Sequence, residues 1–239
     1  MVVTPSAMRW SSRDILVEIV ASGRGDYMPR TQEGLARLVE REGVQDKRIV
    51  EAFKAIDRAD FVPQRYRFDA YRDRPVGIPE DQTTSQPSLI ARMIDVTAPK
   101  PDDTVLEVGA GYGFQTALLA SLAKSVIGIE LWPSLAKAAS ENLERAGIRN
   151  ARVIVGDGWA GYEENAPYDV VIVSAAADEV PDALVKQLVE GGRLVIPVRE
   201  PTGDNVYVFV KRDGRLEGGR LVTPARFVPL VRRREESER

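Results

Sequence analysis

Apolar positions along this chain follow two different periods, and the switch between them near residue 100 sets the architecture. Before it, they recur at helical spacing. Ile15, Leu16 and Ile19 share one face of a short predicted helix at 12–21. Leu35, Leu38 and Val39 form a stripe over 31–42, stopped by Gly43, and Ile49, Val50 and Phe53 do the same over 46–55. These read as packing helices without chemistry of their own. Residues 65–79, dense in aromatics, arginine and proline, predict an irregular segment. Pro87 suits the first position of a helix running to about residue 96, with Leu89, Ile90 and Met93 facing inward.

Beyond residue 100, short Val/Ile/Leu runs alternate with helical patterns. Strands are predicted at 104–108, 125–129, 151–155, 168–173 and 193–198. Helices are predicted at 114–123, from Pro133 to a stop at Gly147, and from about Pro181. Gly191 and Gly192 are expected to turn the chain into the strand at 193. Residues 205–211 and 215–222 read as a β-hairpin around Asp213-Gly214. The alternation predicts an α/β fold: a mostly parallel, twisted sheet with helices on both faces and an antiparallel C-terminal hairpin. The expected division is an N-terminal extension at 1–30, one domain at 31–230 and a charged tail at 231–239.

The pattern is interrupted most sharply after the strand at 104–108. Gly109, Gly111 and Gly113 stand at alternate positions, so the backbone can turn tightly and a ligand can approach it. A glycine-rich strand–turn–helix serves a dinucleotide or S-adenosylmethionine. The dinucleotide fingerprint G-x-G-x-x-G requires a glycine where Phe114 stands. Glu107, just before the turn, would repel a pyrophosphate and suits a cationic amino-acid ligand. The pattern therefore favours S-adenosylmethionine over a nicotinamide cofactor. The bland alternative is a tight turn with no ligand.

In an open α/β sheet, ligands bind at the carboxyl ends of the strands. Glu130 ends the second predicted strand, 23 residues after Glu107, where a carboxylate accepts hydrogen bonds from both ribose hydroxyls. Asp157, between Gly156 and Gly158, suits an adenine amino group. Gln82-Thr-Thr-Ser-Gln-Pro87 concentrates hydroxyls and amides ahead of a helix; the plain alternative is N-capping by Ser85 or Gln86.

Composition narrows the chemistry. The net charge of −3 provides no global basic field for nucleic acid. Without cysteine or histidine, disulfides, thiolate catalysis, cysteine metal sites and imidazole bases are excluded. No metal site is expected. The first residues lack a charged-then-apolar signal pattern, and the apolar run at 15–20 is too short to span a bilayer, so a cytoplasmic protein is expected.

With these residues in hand, the chain resembles the protein-L-isoaspartate O-methyltransferases over about 34–230. The segments that carry the likeness include Arg58-Ala-Asp-Phe-Val-Pro63, Gln82 to Pro87, Val105 to Ala117, Gly156-Asp-Gly158, Gly191 to Val198 and Phe227-Val-Pro-Leu230. The glycine motif and the strand-end acids are common to many methyltransferases; the Gln82–Pro87 stretch and the Phe-Val-Pro segments are more specific. The resemblance implies a Rossmann-like methyltransferase fold and S-adenosylmethionine as donor. The implied acceptors are isoaspartyl-containing proteins and peptides, methylated on the α-carboxylate, with neither nucleic acid nor membrane as partner. It implies Ser85 as the active-site serine, with Gln82, Thr83 and Thr84 lining the cofactor and substrate cleft. Cofactor binding falls to these three and to Glu107, Gly109, Gly111, Gly113, Glu130, Asp157 and Gly158. A monomer is expected.

The reaction is consistent with the composition. An α-carboxylate is ionised at pH 7, so methyl transfer to it needs no general base. One departure from the family stands out: Glu80 and Asp81 precede Gln82, where a glycine is usual. Two acids beside a site for a carboxylate motivate a second reading, in which the fold and donor are kept but a dedicated acceptor is used. A non-catalytic binding module is the third.

Overall fold

The computed structural model describes residues 29–232, so the helix predicted at 12–21 and the tail from 233 lie outside the described residues. Three helices come first: α1 (Gln32–Arg41), α2 (Lys47–Ala55) and α3 (Pro87–Thr97). Thr31 caps α1 by accepting from the Gly34 amide at 3.1 Å, and Asp46 caps α2 by accepting from Arg48 at 2.9 Å. Between α2 and α3 the segment expected to be irregular is partly ordered. A 3-10 turn covers Gln64–Asp69, and β1 (Val76–Ile78) pairs antiparallel with β2 (Gln82–Thr84). Three-residue strands carry too little periodicity to be read in advance.

The remainder alternates as expected: β3 (Thr104–Val108), α4 (Phe114–Ala120), β4 (Ser125–Glu130), α5 (Pro133–Arg145), β5 (Ala151–Val155), β6 (Tyr168–Val173), α6 (Asp182–Lys186), β7 (Leu188–Glu200), β8 (Gly203–Arg212) and β9 (Arg215–Ala225). The seven strands β3–β9 form one sheet in the order β5-β4-β3-β6-β7-β8-β9. Pairings from β5 to β7 are parallel; β7–β8 and β8–β9 are antiparallel. Asp213 and Gly214 both have positive φ (49° and 74°), the backbone a two-residue hairpin turn requires.

Strands β7, β8 and β9 run longer than expected, and two boundaries differ for local reasons. Helix α4 stops at Ala120, because the chain tightens into bonds from Ser121 to Leu118 and Leu122 to Leu119 that drive Leu122 into the core. Gly191 and Gly192 do not precede β7 but lie within it. The pairing with β6 jumps from Tyr168↔Leu188 to Val170↔Arg193, so the glycines form a bulge. A side chain at Gly192 would meet Leu188 Cγ at 2.6 Å.

Alternate residues of the sheet feed two cores. Val105, Val126, Val170, Ile172 and Val195 pack with side chains of α1 to α5. Leu106, Val108, Ile127, Ile129, Val171 and Leu194 pack with Leu184 of α6, Tyr168 and the half-buried Trp159, Tyr162 and Leu230. Both faces carry helices, unequally: the second has the five-residue α6, and loop side chains complete its cover.

At the amino ends of the parallel strands, the Arg193 guanidinium joins three elements. It donates to the Thr97 carbonyl (2.9 Å) and the Ala98 carbonyl (3.3 Å) at the end of α3, and to the Asp103 carboxylate ahead of β3. Asp103 is buried, so removing the guanidinium strands a charge. Arg193→Ala is expected to cost about 3 kcal/mol in urea unfolding. A loss under about 1 kcal/mol would mean that solvent already screens the pair.

Candidate functional site

The loops after four adjacent parallel strands are tied together at their carboxyl ends. The Gly109 and Ala110 amides donate to the Ile129 carbonyl (2.8 and 3.1 Å), Gly156 donates to Glu130 (3.0 Å), and Ser174 donates to Val108 (2.8 Å). This is the end of an α/β sheet where ligands bind. Glu107, Glu130 and Asp157 stand at or just past the ends of β3, β4 and β5.

The glycine turn spans Gly109 (φ 87°), Gly111 (φ 56°) and Gly113 (φ 87°), all in the left-handed region that glycine tolerates best. Their neighbours differ. A Cβ on Gly113 would lie 3.3 Å from Ala139 of α5, and the residue is buried, so this glycine serves helix packing. Gly158 is buried too, and a Cβ there would come within 2.4 Å of Val108. Gly109 and Gly111 are half-buried.

The acids also differ from one another. Glu130 is 5% exposed, with one oxygen accepting from the Gly111 amide (2.8 Å) and the other from Trp132 (3.0 Å). Burial raises its pKa, and those amides oppose the rise. Asp157 accepts from the Trp159 amide at 2.9 Å. Glu107 is 1% exposed and turned under α4, where it accepts from Gln115 Nε2 (2.9 Å) and from the Thr116 hydroxyl. The open strand-end carboxylate read from the sequence is therefore an enclosed one, engaged by the first turn of the helix.

Burial, with a smaller push from Glu130, raises the Glu107 pKa to about 8 against the hydrogen bonds from Thr116 and Gln115. Between pH 4.5 and about 8 the folded chain then holds a proton that the unfolded chain has released, so stability falls as pH rises. Glu107→Gln removes this dependence. The Tm of the variant should gain on that of the parent between pH 5 and pH 8; a difference independent of pH would show that Glu107 is already ionised in the fold.

Gln82, Thr83 and Thr84 form β2, and Ser85 follows it, all half-buried. Among the described residues, the hydroxyls of Thr83, Thr84 and Ser85 have no hydrogen-bond partner. Neither Ser85 nor Gln86 caps α3. Asp73 does so instead, accepting from the Ser88 amide (2.9 Å) and from Gln86 Nε2 (2.8 Å). The hydroxyl strip is thus released from capping. The β1–β2 hairpin rests on the glycine turn, with Ile78 Cδ1 3.3 Å from where a Cβ of Gly111 would be. Its tip carries Glu80 and Asp81 at φ 62° and 54°. The Glu80 carboxylate accepts from Ser134 Oγ at 2.6 Å, which draws this charge toward the start of α5.

Several residues at this end were not singled out from sequence. Trp132, two residues past Glu130, is 37% exposed, and Ser174 accepts from Gln115 at 2.9 Å. Both follow the carboxyl end of a parallel strand, and that position is the signal that would have found them. Arg58 is fully buried and bonds to the Ser85 carbonyl at 3.0 Å. No local pattern announces a buried arginine.

Residues 30–235 match the family model described as protein-L-isoaspartate(D-aspartate) O-methyltransferase. A protein-L-isoaspartate O-methyltransferase of Koribacter versatilis is 47% identical over 189 residues, 79% of this chain and 85% of that protein. One from Methanoculleus marisnigri is 45% identical over 189 residues, covering 79% and 86%. A solved protein-L-isoaspartate O-methyltransferase superposes with TM-score 0.75 at 31% identity, over 83% of this chain and 65% of that one. A Plasmodium falciparum beta-aspartate methyltransferase, solved with S-adenosyl-L-homocysteine, gives TM-score 0.73 at 27% identity over 84% and 98%. In sequence and in fold, this chain belongs to the protein-L-isoaspartate(D-aspartate) O-methyltransferase family.

Proposed function

We propose that the chain methylates the α-carboxylate of L-isoaspartyl residues in damaged proteins and peptides, with Ser85 at the acceptor and Glu130 at the donor. The observation that carries this assignment is the hydroxyl strip ending at Ser85, with no internal partners, on a hairpin that rests against the glycine turn. The cofactor of the family is S-adenosylmethionine; the P. falciparum relative was solved with its demethylated product.

The residues present fit that cofactor. The Glu130 carboxylate accepts from backbone amides on both oxygens and, with about four lone-pair sites, keeps acceptor capacity for a ribose hydroxyl. Asp157 would accept from the adenine amino group, the part-exposed Trp132 ring would offer it an aromatic face, and Gly109 and Gly111 present backbone without a side chain. Gln82, Thr83 and Thr84 line the wall between donor and acceptor. Glu107, Gly113 and Gly158 act indirectly by fixing the turn and its packing. When bound, S-adenosylmethionine supplies an electrophilic methyl group. The chain's own contribution is to hold the acceptor oxygen in line and keep water out, an orientation effect worth several kcal/mol. The Ser85 hydroxyl donates a hydrogen bond to the acceptor carboxylate and does not act as a nucleophile, and no histidine is needed.

A cytoplasmic monomer acting on isoaspartyl proteins, without nucleic acid or membrane partners, belongs to the same proposal; cell fractionation and light scattering test its first two parts. No helix among the described residues is long and apolar enough to cross a membrane. The deciding experiment compares labelled methyl transfer to an isoaspartyl peptide and to its normal aspartyl twin. Base-labile label on the isoaspartyl peptide alone is the expected result. Label on neither, with the cofactor bound, would favour a dedicated acceptor selected by the Glu80–Asp81 turn. The Glu80–Ser134 bond argues against that reading, because it gives one of the two charges a partner at the start of α5.

A further inference from the structure

We infer that Arg58, together with Asp73, is the positioning device of the acceptor site, holding the Ser85 peptide in fixed relation to the glycine turn. The inference rests on the reading of Ser85 given above.

Arg58 is the largest of the fully buried side chains, yet no carboxylate lies within ion-pair distance of it among the described residues. Its guanidinium donates to four main-chain carbonyls instead. Nη1 reaches Ala70 (3.0 Å) and Arg72 (3.2 Å); Nη2 reaches Arg74 (3.3 Å) and Ser85 (3.0 Å). Nε has no partner among the described residues. A buried cation is costly, and four neutral carbonyls offset that cost only in part. Burial pushes this guanidinium down to about 9, and the field of Asp73 opposes the fall. Nothing about packing requires an arginine here, since an apolar side chain of similar length would fill the space. What the guanidinium alone can do is span two pairs of carbonyls from one rigid fork.

The connections explain why that span matters. Three of the four carbonyls belong to the loop at 70–74, and the fourth is that of Ser85. The same loop supplies Asp73, whose two oxygens hold the Gln86 side chain and the Ser88 amide. The Ser85 residue is thus gripped on its carbonyl side by Arg58 and on its helix side by Asp73. Arg58 also lies 5.8 Å over the ring of Phe114, the first residue of α4 after the glycine turn. Phe114 in turn packs edge-on against Phe53 and at a tilt against Phe61. One side chain therefore touches both the acceptor strip and the end of the donor turn, without having access to either ligand. Displacing Ser85 by about 1 Å relative to the turn would cost on the order of 100-fold in rate, with little change in cofactor binding.

The test uses Arg58→Lys, Asp73→Asn and, in parallel, Ser85→Ala, in the full chain and well below the Tm of each variant. Equilibrium binding counts S-adenosylmethionine sites, and turnover on an isoaspartyl peptide is expressed per site, so that unfolded molecules drop out. A lysine ammonium cannot span both carbonyl pairs. We expect Arg58→Lys to lower kcat per site on the order of 100-fold and Asp73→Asn on the order of 10-fold, with cofactor Kd within about threefold. A purely structural role would lower the number of sites and leave kcat per site unchanged, and that result overturns the inference. If Arg58→Lys yields no binding sites, Asp73→Asn decides alone: unchanged kcat per site refutes the inference, and a loss with Kd preserved supports it. Should Ser85→Ala keep full turnover, the reading of Ser85 falls and the positioning inference falls with it. Should Ser85→Ala lose turnover while the other two keep theirs, only the positioning inference falls.

Discussion

Ser85→Ala is expected to lower kcat on isoaspartyl peptides by about 10- to 100-fold, the value of one hydrogen bond to a charged group. Cofactor Kd should stay within about twofold. The fold should hardly notice the change: the hydroxyl has no partner among the described residues, and substitutions away from caps, cores and networks shift stability by under about 0.5 kcal/mol. Ser85→Thr, which keeps a hydroxyl, should retain more turnover than Ser85→Ala. The prediction separates two views of the Gln82–Pro87 stretch. If these residues existed to start α3, Ser85→Ala would destabilise the helix and spare kcat. The geometry already favours the other view, since Asp73 supplies the bond that a capping serine would have made. Unchanged kcat with intact binding would remove Ser85 from the mechanism.

The sequence made the scaffold of this site legible and hid what tunes it. β3, β4 and β6 lie where their Val/Ile/Leu runs predict, because a parallel strand buried on both faces is apolar along most of its length; β5, the part-exposed edge strand, lies where predicted too although Arg152 interrupts its run. Glu107, Glu130 and Asp157 were placed correctly at or near strand ends, since topology alone determines that. Their environments were not legible. Whether a carboxylate faces a cleft or folds under a helix depends on side chains such as Thr116 and Gln115, whose direction follows from packing rather than local pattern. The same holds for the glycines: all three turn glycines adopt the expected backbone, but that a Cβ on Gly113 would crowd Ala139 of α5 is a tertiary fact with no local signal. The hardest to see was Arg58. It lies in a segment that carried the family likeness, but its partners at 70, 72, 74 and 85 are non-local, and a lone arginine in a sequence reads as surface. The tip of the hairpin went the other way. Glu80 and Asp81 looked like a threat to acceptor binding, and the Glu80–Ser134 bond gives one of them a structural partner.

The donor half of the site predicts the opposite kinetic signature. Glu130→Ala should weaken S-adenosylmethionine binding by about 100-fold, because a hydrogen bond to a buried charge contributes about 1.5–3 kcal/mol. Part of that loss would arise without any ligand contact: the Gly111 and Trp132 amides would lose their acceptor, and the glycine turn one of its anchors to β4, the Gly109 and Ala110 bonds to Ile129 remaining. The apo protein should therefore also melt earlier. At saturating cofactor, however, kcat should recover most of the parent value, since the Ser85 strip and its Arg58 support are untouched. The pH dependence carries the same mark. Burial holds the Glu130 pKa above that of an ordinary glutamate, and only the ionised form offers both oxygens as acceptors. Cofactor affinity should accordingly decline on acidification at a higher pH than a solvated carboxylate would give, and Glu130→Gln should flatten that decline while binding weakly throughout. An affinity for Glu130→Ala within about threefold of the parent would place the ribose elsewhere. The turn would then owe its geometry to Glu130 and its ligand to another residue, with Asp157 and Trp132 the next to replace.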